Sequence, residues 1–300
     1  MQASRYRNRP AGFSPYFPLA LGDLVLPLLR RESFDAAARL RRKRAVRRRK
    51  AMRPFGMNSF TGKRLLALVR GGDYAHAGEE EAIDRVFANL PKRSDQWLLD
   101  VGCGRGGTAD YVRRGGWGRV VGIDRDGDSL AYARSRYPEV AFAAGDVREA
   151  PRLLFQRFAL VYMLNAFYAF EAQREALAAL RQVAEEGAEL LIFDYLDRGG
   201  FQDDPLVVNG RSIIPHPIER EAICGKLAET GWKLVSTEDL HREYGHWYAA
   251  LLSRIEARAP EVIAVEGKES LDHLRAVYRG ILRKIERGLL GGVLLNCAAV

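Results

Sequence analysis

The stretch from Gln96 to Gly107 constrains this chain more than any other. An apolar run, Trp97-Leu98-Leu99, ends on Asp100-Val101, and glycines then stand at 102, 104, 106 and 107. A short apolar run stopped by glycine reads as a buried strand. The residues from Thr108 to Gly116 read as a helix closed by glycine. Glycine permits a tight turn and lets a ligand approach the backbone closely. A strand, a glycine turn and a helix in that order form a ligand-facing corner of an open α/β sheet.

The rest of the chain repeats the alternation. Strands are predicted at 96–102, 119–124, 140–146, 158–164, 189–196 and 232–240, with a last one at 291–300. Helices are predicted at 108–116, 128–137, 173–184 and 218–229, with a helical tract over 246–288. Residues 59–90 carry helical apolar stripes that Gly71-Gly72-Asp73 breaks in two. This alternation implies a doubly wound α/β fold, a parallel sheet with helices on both faces.

The net charge of +9 misleads until it is divided. Residues 1–54 hold 15 basic and 3 acidic side chains, while the remainder holds 32 and 35. The basic excess therefore lies in an arm, densest at Arg41-Arg42-Lys43-Arg44 and Arg47-Arg48-Arg49-Lys50. Residues 1–56 are expected to be a disordered or loosely helical appendage, with Met57 a candidate start and 57–300 the folded domain. Nucleic acid could dock only through this arm, because clustered arginine neutralises phosphates. The apolar stretch 13–29 contains Pro15, Pro18, Asp23 and Pro27, so no transmembrane segment is expected there. It also lacks the order of a secretory signal. Three scattered cysteines, Cys103, Cys224 and Cys297, point to a reducing, cytoplasmic setting. Five histidines without metal-ligand spacing predict no bound metal.

The glycine loop fits two ligands. Gly102, Gly104 and Gly107 satisfy the loop of dinucleotide enzymes; Gly102, Gly104 and Gly106 satisfy that of S-adenosylmethionine enzymes. Three acids favour the second. Asp100, two residues before the first glycine, can pair with the ammonium of a methionine moiety but would repel a pyrophosphate. Asp124 ends the next strand, where an acid can accept both ribose hydroxyls. Asp146 ends the third, where it can accept an adenine amino group.

On these residues the chain resembles the class I S-adenosylmethionine-dependent methyltransferases. The likeness rests on LLDVGCGRGG, VVGID, AAGDV, FALVYMLNAFYAF and LLIFDY, in family order and spacing. The segment Gly71 to Gly78 and the tail HREYGHWYAALLSRIEARAPEV are similar to those of small-molecule enzymes of the sarcosine/dimethylglycine, phosphoethanolamine and tocopherol type. The resemblance implies a seven-stranded sheet in the order 3-2-1-4-5-7-6 with the seventh strand antiparallel. It implies helical cap segments over 59–90, about 200–230 and 242–288. It also implies an S-adenosyl-L-methionine site built from Asp100, Gly102, Cys103, Gly104, Gly106, Asp124, Arg125, Asp146, Val147 and Asn165.

The implied reaction is methyl transfer to a nitrogen or oxygen of a small molecule. Relatives that methylate amines often carry Asp and His where this chain has Asn165 and Ala169. The catalytic base is therefore unassigned, with Asn165, His76 and Tyr168 as candidates. Tyr74, His76, Tyr195, Tyr244, Trp247 and Tyr248 are substrate candidates, since aromatic faces can hold an ammonium. Two rival functions remain: an RNA or ribosome methyltransferase docking through the arm, and a non-catalytic S-adenosylmethionine-binding protein. Oligomeric state is not legible.

Overall fold

The computed structural model describes residues 55–300. The expectations for the basic arm and the apolar stretch before it lie outside the described residues.

Among the described residues the strands are β1 (Trp97–Val101), β2 (Arg119–Asp124), β3 (Ala141–Ala144), β4 (Phe158–Leu164), β5 (Ala184–Asp197), β6 (Val207–Val208), β7 (Arg211–Ser212), β8 (Ile218–Glu219), β9 (Trp232–Asp239) and β10 (Leu290–Ala299). The main sheet runs β3-β2-β1-β4-β5-β10-β9, with β8 beside the end of β5 and β6–β7 paired separately. Pairs among β1 to β5 are parallel, whereas β10 is antiparallel to both β5 and β9. With β9 sixth and β10 seventh, this is the order the family resemblance implies.

Two apolar cores lie on the two sheet faces, as the period-2 alternation of side chains requires. On one face Leu98, Leu160, Tyr162 and Phe193 pack against Leu65, Ile83, Ala109, Leu251 and Leu274. These come from the helices Phe60–Arg70, Glu79–Phe87, Gly107–Arg114, His241–Ala257 and Lys268–Glu286. On the other face Leu99, Val161 and Ile192 meet Leu177, Leu180, Ile223 and Leu227. The cap expected near 200–230 is met only in its first part, where Phe201, Leu206 and Ile214 pack into the first core and Lys284 pairs with Asp204; the second part does not belong to it. Its one helix, Arg220–Glu229, lies on the second face beside Gln173–Val183, and the Trp232 ring N–H donates to the Leu177 carbonyl at 3.0 Å.

The C-terminal helical tract starts earlier than predicted and is three helices, His241–Ala257, Ala259–Glu266 and Lys268–Glu286. Asp239 starts it by accepting the His241 N–H at 2.9 Å. Pro260 opens the second helix and Gly267, at φ 86°, separates the second from the third. Among the described residues no helix is long and apolar enough to cross a membrane.

The first helix is started by Ser59, whose hydroxyl accepts the Gly62 N–H, and is stopped by Gly71 in the left-handed conformation. That stop turns the Gly71–Gly78 segment back over the sheet. At the other side of this layer the Tyr244 ring lies flat against β10. A methyl carbon on Gly292 would stand 2.0 Å from that ring. Gly292→Ala is therefore expected to destabilise the protein by about 1–3 kcal/mol, the usual range for overpacking a core. A denaturant midpoint unchanged from wild type would refute this contact.

Candidate functional site

A cleft with about 230 Å³ of free space opens where β1 to β4 end at their carboxyl edge. It sits at the switch between β2-β1 and β4-β5, where open α/β sheets place their ligands. Val101, Gly102, Asp124, Arg125, Asp146 and Val147 line one side, and Asn165 and Ala166 the other. A smaller inner chamber is walled by Asp73, Tyr74, His76, Asp100, Cys103 and Arg105. Lys63, Ala75, Gly102 and Leu164 line both spaces. Gly102 takes φ 75°, and a Cβ there would meet the Ala166 methyl at 2.6 Å, so the loop closes only with glycine. A Cβ on Gly107 would meet the Asp73 carbonyl oxygen at 2.7 Å, so the Gly71–Gly78 segment rests directly on the loop.

The structure brings the three predicted acids around these spaces in different electrostatic states. Asp124 accepts from Gly104 N–H at 2.7 Å and from Asp126 N–H at 2.8 Å. It also pairs with the Lys63 ammonium at 3.1 Å, which reaches Asp126 at 3.4 Å. Lys63 is only 8% exposed and comes from the first helix, 61 residues away. Nothing in the sequence marked it, because a lysine on an amphipathic helix usually faces solvent. Asp146 caps the short turn Val147–Glu149 and pairs with Arg148 at 2.8 Å, which holds its carboxyl below the usual carboxylate range. Asp100 has no ion pair. Its Oδ2 is buried, and among the described residues the one polar group set against it is the equally buried hydroxyl of Tyr162 on β4, which pulls its carboxyl down. Burial, with the Asp124 charge beside it, pushes its carboxyl up to about 8.

The loop after β4 is fixed from below by Asp194 at the end of β5. That wholly buried carboxylate accepts Phe167 N–H at 2.7 Å, Tyr168 N–H at 3.2 Å and Tyr195 N–H at 2.7 Å. Burial raises it to about 7 while the backbone donors pull the other way. Sequence reading saw Asp194 only inside a strand motif. Asn165 takes the left-handed conformation, φ 51°. Its Oδ1 accepts Ala77 N–H at 2.9 Å and its Nδ2 donates to the Tyr244 hydroxyl at 3.0 Å.

Each catalytic candidate is thus already engaged. Asn165 spends both ends of its amide on neighbouring elements. His76 is buried, with Nδ1 3.0 Å from the Ala77 carbonyl and Nε2 3.0 Å from the Thr108 hydroxyl. A carbonyl only accepts, so Nδ1 carries the hydrogen and Nε2 accepts from Thr108. Burial lowers His76 to about 4, so the ring is neutral. Tyr168 donates its hydroxyl to Asn58 at 3.0 Å.

The substrate candidates divide. Tyr74 and His76 wall the inner chamber, and the Tyr74 hydroxyl donates to Glu80 at 2.8 Å. Tyr195, Tyr244, Trp247 and Tyr248 line neither space. They are buried against one another: the Tyr195 and Tyr248 hydroxyls share a hydrogen bond, and Tyr248 stacks on Tyr278 at 5.9 Å. Their apolar surface is consumed by the core under the long helices, a packing that residue type alone does not distinguish from a ligand cage. Cys103 lies in the chamber wall, its thiol raised by burial, and Gly104 and Gly106 shape the turn.

Comparison with known proteins places this geometry. Residues 98–187 match the family model described as a methyltransferase domain. The chain is 33% identical over 121 residues to a dTDP-3-amino-3,4,6-trideoxy-alpha-D-glucopyranose N,N-dimethyltransferase of Streptomyces venezuelae, covering 40% of this chain and 49% of that protein. It is 25% identical over 165 residues to an O-methyltransferase of Pyrenophora dematioidea, covering 52% and 61%. The chain thus spans between about half and three-fifths of these relatives. Its fold superposes on phosphoethanolamine N-methyltransferase 2 of Haemonchus contortus with a TM-score of 0.69 at 18% identity, over 81% of this chain and 58% of that one.

The matched residues include Asp100, Asp124, Asp146 and Asn165, whereas Lys63, Asp194 and Tyr244 lie outside them. Asp100 gives a direct test of the electrostatics. An acid at about 8 in the fold, against an ordinary 3.8, holds a proton that the unfolded chain has lost between those values. Stability therefore falls as pH rises from about 4 to about 8. Asp100→Asn is expected to raise the melting temperature of the ligand-free protein at pH 8.5 by about 2–4 °C, the response to roughly 1 kcal/mol in a domain of this size. The gain should shrink toward pH 5. A variant melting at or below wild type at both pH values would show that the unpaired carboxylate is not a liability.

Proposed function

We propose that this chain binds S-adenosylmethionine and transfers its methyl group to a nitrogen or oxygen of a small molecule. One observation carries the reading: three carboxylates, Asp100, Asp124 and Asp146, stand at the ends of three successive strands around two adjoining spaces that share Gly102. The residues fit the group. Asp100 offers an unpaired buried oxygen to an ammonium. Asp124 keeps acceptor capacity on Oδ1 for a ribose hydroxyl, and gains more if Lys63 shifts. Asp146 stands beside Val147, Ala166, Ala169 and Phe170, which give an adenine ring apolar walls.

When bound, S-adenosylmethionine supplies an electrophilic methyl on a sulfonium that is already a good leaving group. The chain's own task is to hold the acceptor in line and exclude water. The loop Asn165–Ala169 forms the wall for that purpose, and Asp194 fixes it. Asn165, His76 and Tyr168 are hydrogen-bonded elsewhere, so no side chain among them is free to remove a proton. This favours an acceptor that arrives with its lone pair available: a neutral amine, or an oxygen ionised in solution. The N- and O-methyltransferases among the similar proteins are consistent with both. Unpaired Cys103, Cys224 and Cys297 support a cytoplasmic setting.

The test uses the full chain with radiolabelled S-adenosylmethionine and a small-molecule extract, with and without RNA. Label in a low-mass product is expected. Label only in added RNA would replace this reading with RNA methylation docked through residues 41–50. Tight binding without any labelled product would replace it with a non-catalytic binding protein. Asp124→Ala is expected to weaken S-adenosylmethionine binding by about a hundredfold or more, the loss of hydrogen bonds to a charged acceptor. An unchanged dissociation constant by calorimetry would remove Asp124 from the site.

A further inference from the structure

A buried cation reaches the cleft from outside the sheet. Lys63 lies in the first turn of the helix Phe60–Arg70 and lines both the cleft and the inner chamber. The helix is anchored without it. Leu65, Leu66 and Val69 are buried in the core, and Asn58, just ahead of the helix, accepts the Tyr168 hydroxyl at 3.0 Å. The Lys63 stem runs over the glycine loop, where a Cβ on Gly104 would stand 3.4 Å from its Cδ. The ammonium thus sits on a flexible stem carried by a fixed helix, and it can swing while the helix stays.

A lone-pair count shows what the ammonium is doing. Asp124 Oδ2 accepts Gly104 N–H at 2.7 Å, and Lys63 at 3.1 Å fills its second acceptor position. Oδ1 accepts Asp126 N–H at 2.8 Å and keeps one position open. A ribose brings two adjacent hydroxyls, which an acid at this strand end can accept together. One of the two positions they need is open, and the other is held by Lys63. Asp126 stands two residues on, with Oδ2 3.4 Å from the same ammonium and accepting the Ser129 hydroxyl at 2.5 Å. Its Oδ1 accepts no hydrogen bond among the described residues. A short swing of the stem therefore carries Lys63 wholly onto Asp126. Without that second acid the move would strand a buried cation, which is strongly unfavourable.

We propose that Lys63 stands in for the ribose: it holds an Asp124 acceptor position in the ligand-free protein and yields it to a ribose hydroxyl by moving to Asp126. This rests on the methyl-donor reading above and adds a residue that sets how tightly donor and product are held. Each binding event breaks a buried ion-pair contact. Affinity is therefore lower than the hydroxyl hydrogen bonds alone would give, and the product leaves more readily.

The test is calorimetry on the full chain with S-adenosylhomocysteine and its 2′,3′-dideoxy analogue. Wild type is compared with Lys63→Met and Asp126→Asn. In Lys63→Met, S-adenosylhomocysteine is expected to bind about tenfold tighter, the worth of one hydrogen bond to a charged group. The dideoxy analogue, which asks nothing of Asp124, should change by less than about twofold. In Asp126→Asn the ammonium has lost the acid it moves to, so S-adenosylhomocysteine should bind about five- to tenfold more weakly. Weaker or unchanged binding of S-adenosylhomocysteine in Lys63→Met would overturn the exchange and leave Lys63 a plain counterion. Equal tightening of both ligands would overturn it too. Should Lys63→Met not fold, an Asp126→Asn affinity equal to wild type would overturn it alone. Failure of S-adenosylhomocysteine to bind the wild-type protein would instead refute the methyl-donor reading.

Discussion

One wholly buried carboxylate, Asp194, sets the wall on which the cleft depends. It stands near the end of β5, and the N–H groups of Phe167 and Tyr168 from the loop after β4 and of Tyr195 beside it on the strand converge on it. A charge taken out of water survives only if its lone pairs are filled, and here backbone donors fill them. In return the loop after β4 cannot drift. Asn165 is consequently held in a left-handed conformation, from which its amide reaches the Gly71–Gly78 segment on one side and Tyr244 on the other. Strand end, cap segment and long helix are thus joined at a single side chain.

Most of the charge around the cleft above that joint is paired within the protein. Lys63 balances Asp124 and Asp126, Arg148 balances Asp146, and Arg105 balances Asp73. Asp100 is left over, and burial keeps its proton on at neutral pH. Side chains held in place by such pairs need little reorganisation when a ligand enters.

The parallel β1 to β5 and the three acids were legible from the alternation of short apolar runs with glycine and acid at their ends, whereas the strand order came only with the family resemblance. What escaped was of two kinds. The helix Arg220–Glu229 reads the same whichever face it covers, because Ile223 and Leu227 would be buried on either side. The aromatic residues Tyr195, Tyr244, Trp247 and Tyr248 looked like a ligand cage, and they form a core instead. A tyrosine's apolar ring and polar tip suit both settings, so only its neighbours decide.

The sequence alone determined the local chemistry: strands where β-branched and leucine-rich runs are short, turns where glycine must take positive φ, and acids placed at strand ends by the spacing of those turns. These are properties of a few adjacent residues. Tertiary structure alone decided the pairings across distance. Lys63 meets Asp124, Arg105 meets Asp73, and Asp194 meets the loop after β4 only because separate elements pack on the same sheet edge. Spacing along the chain carries no information about such contacts, since they arise from burial and from the need of each buried charge for a partner.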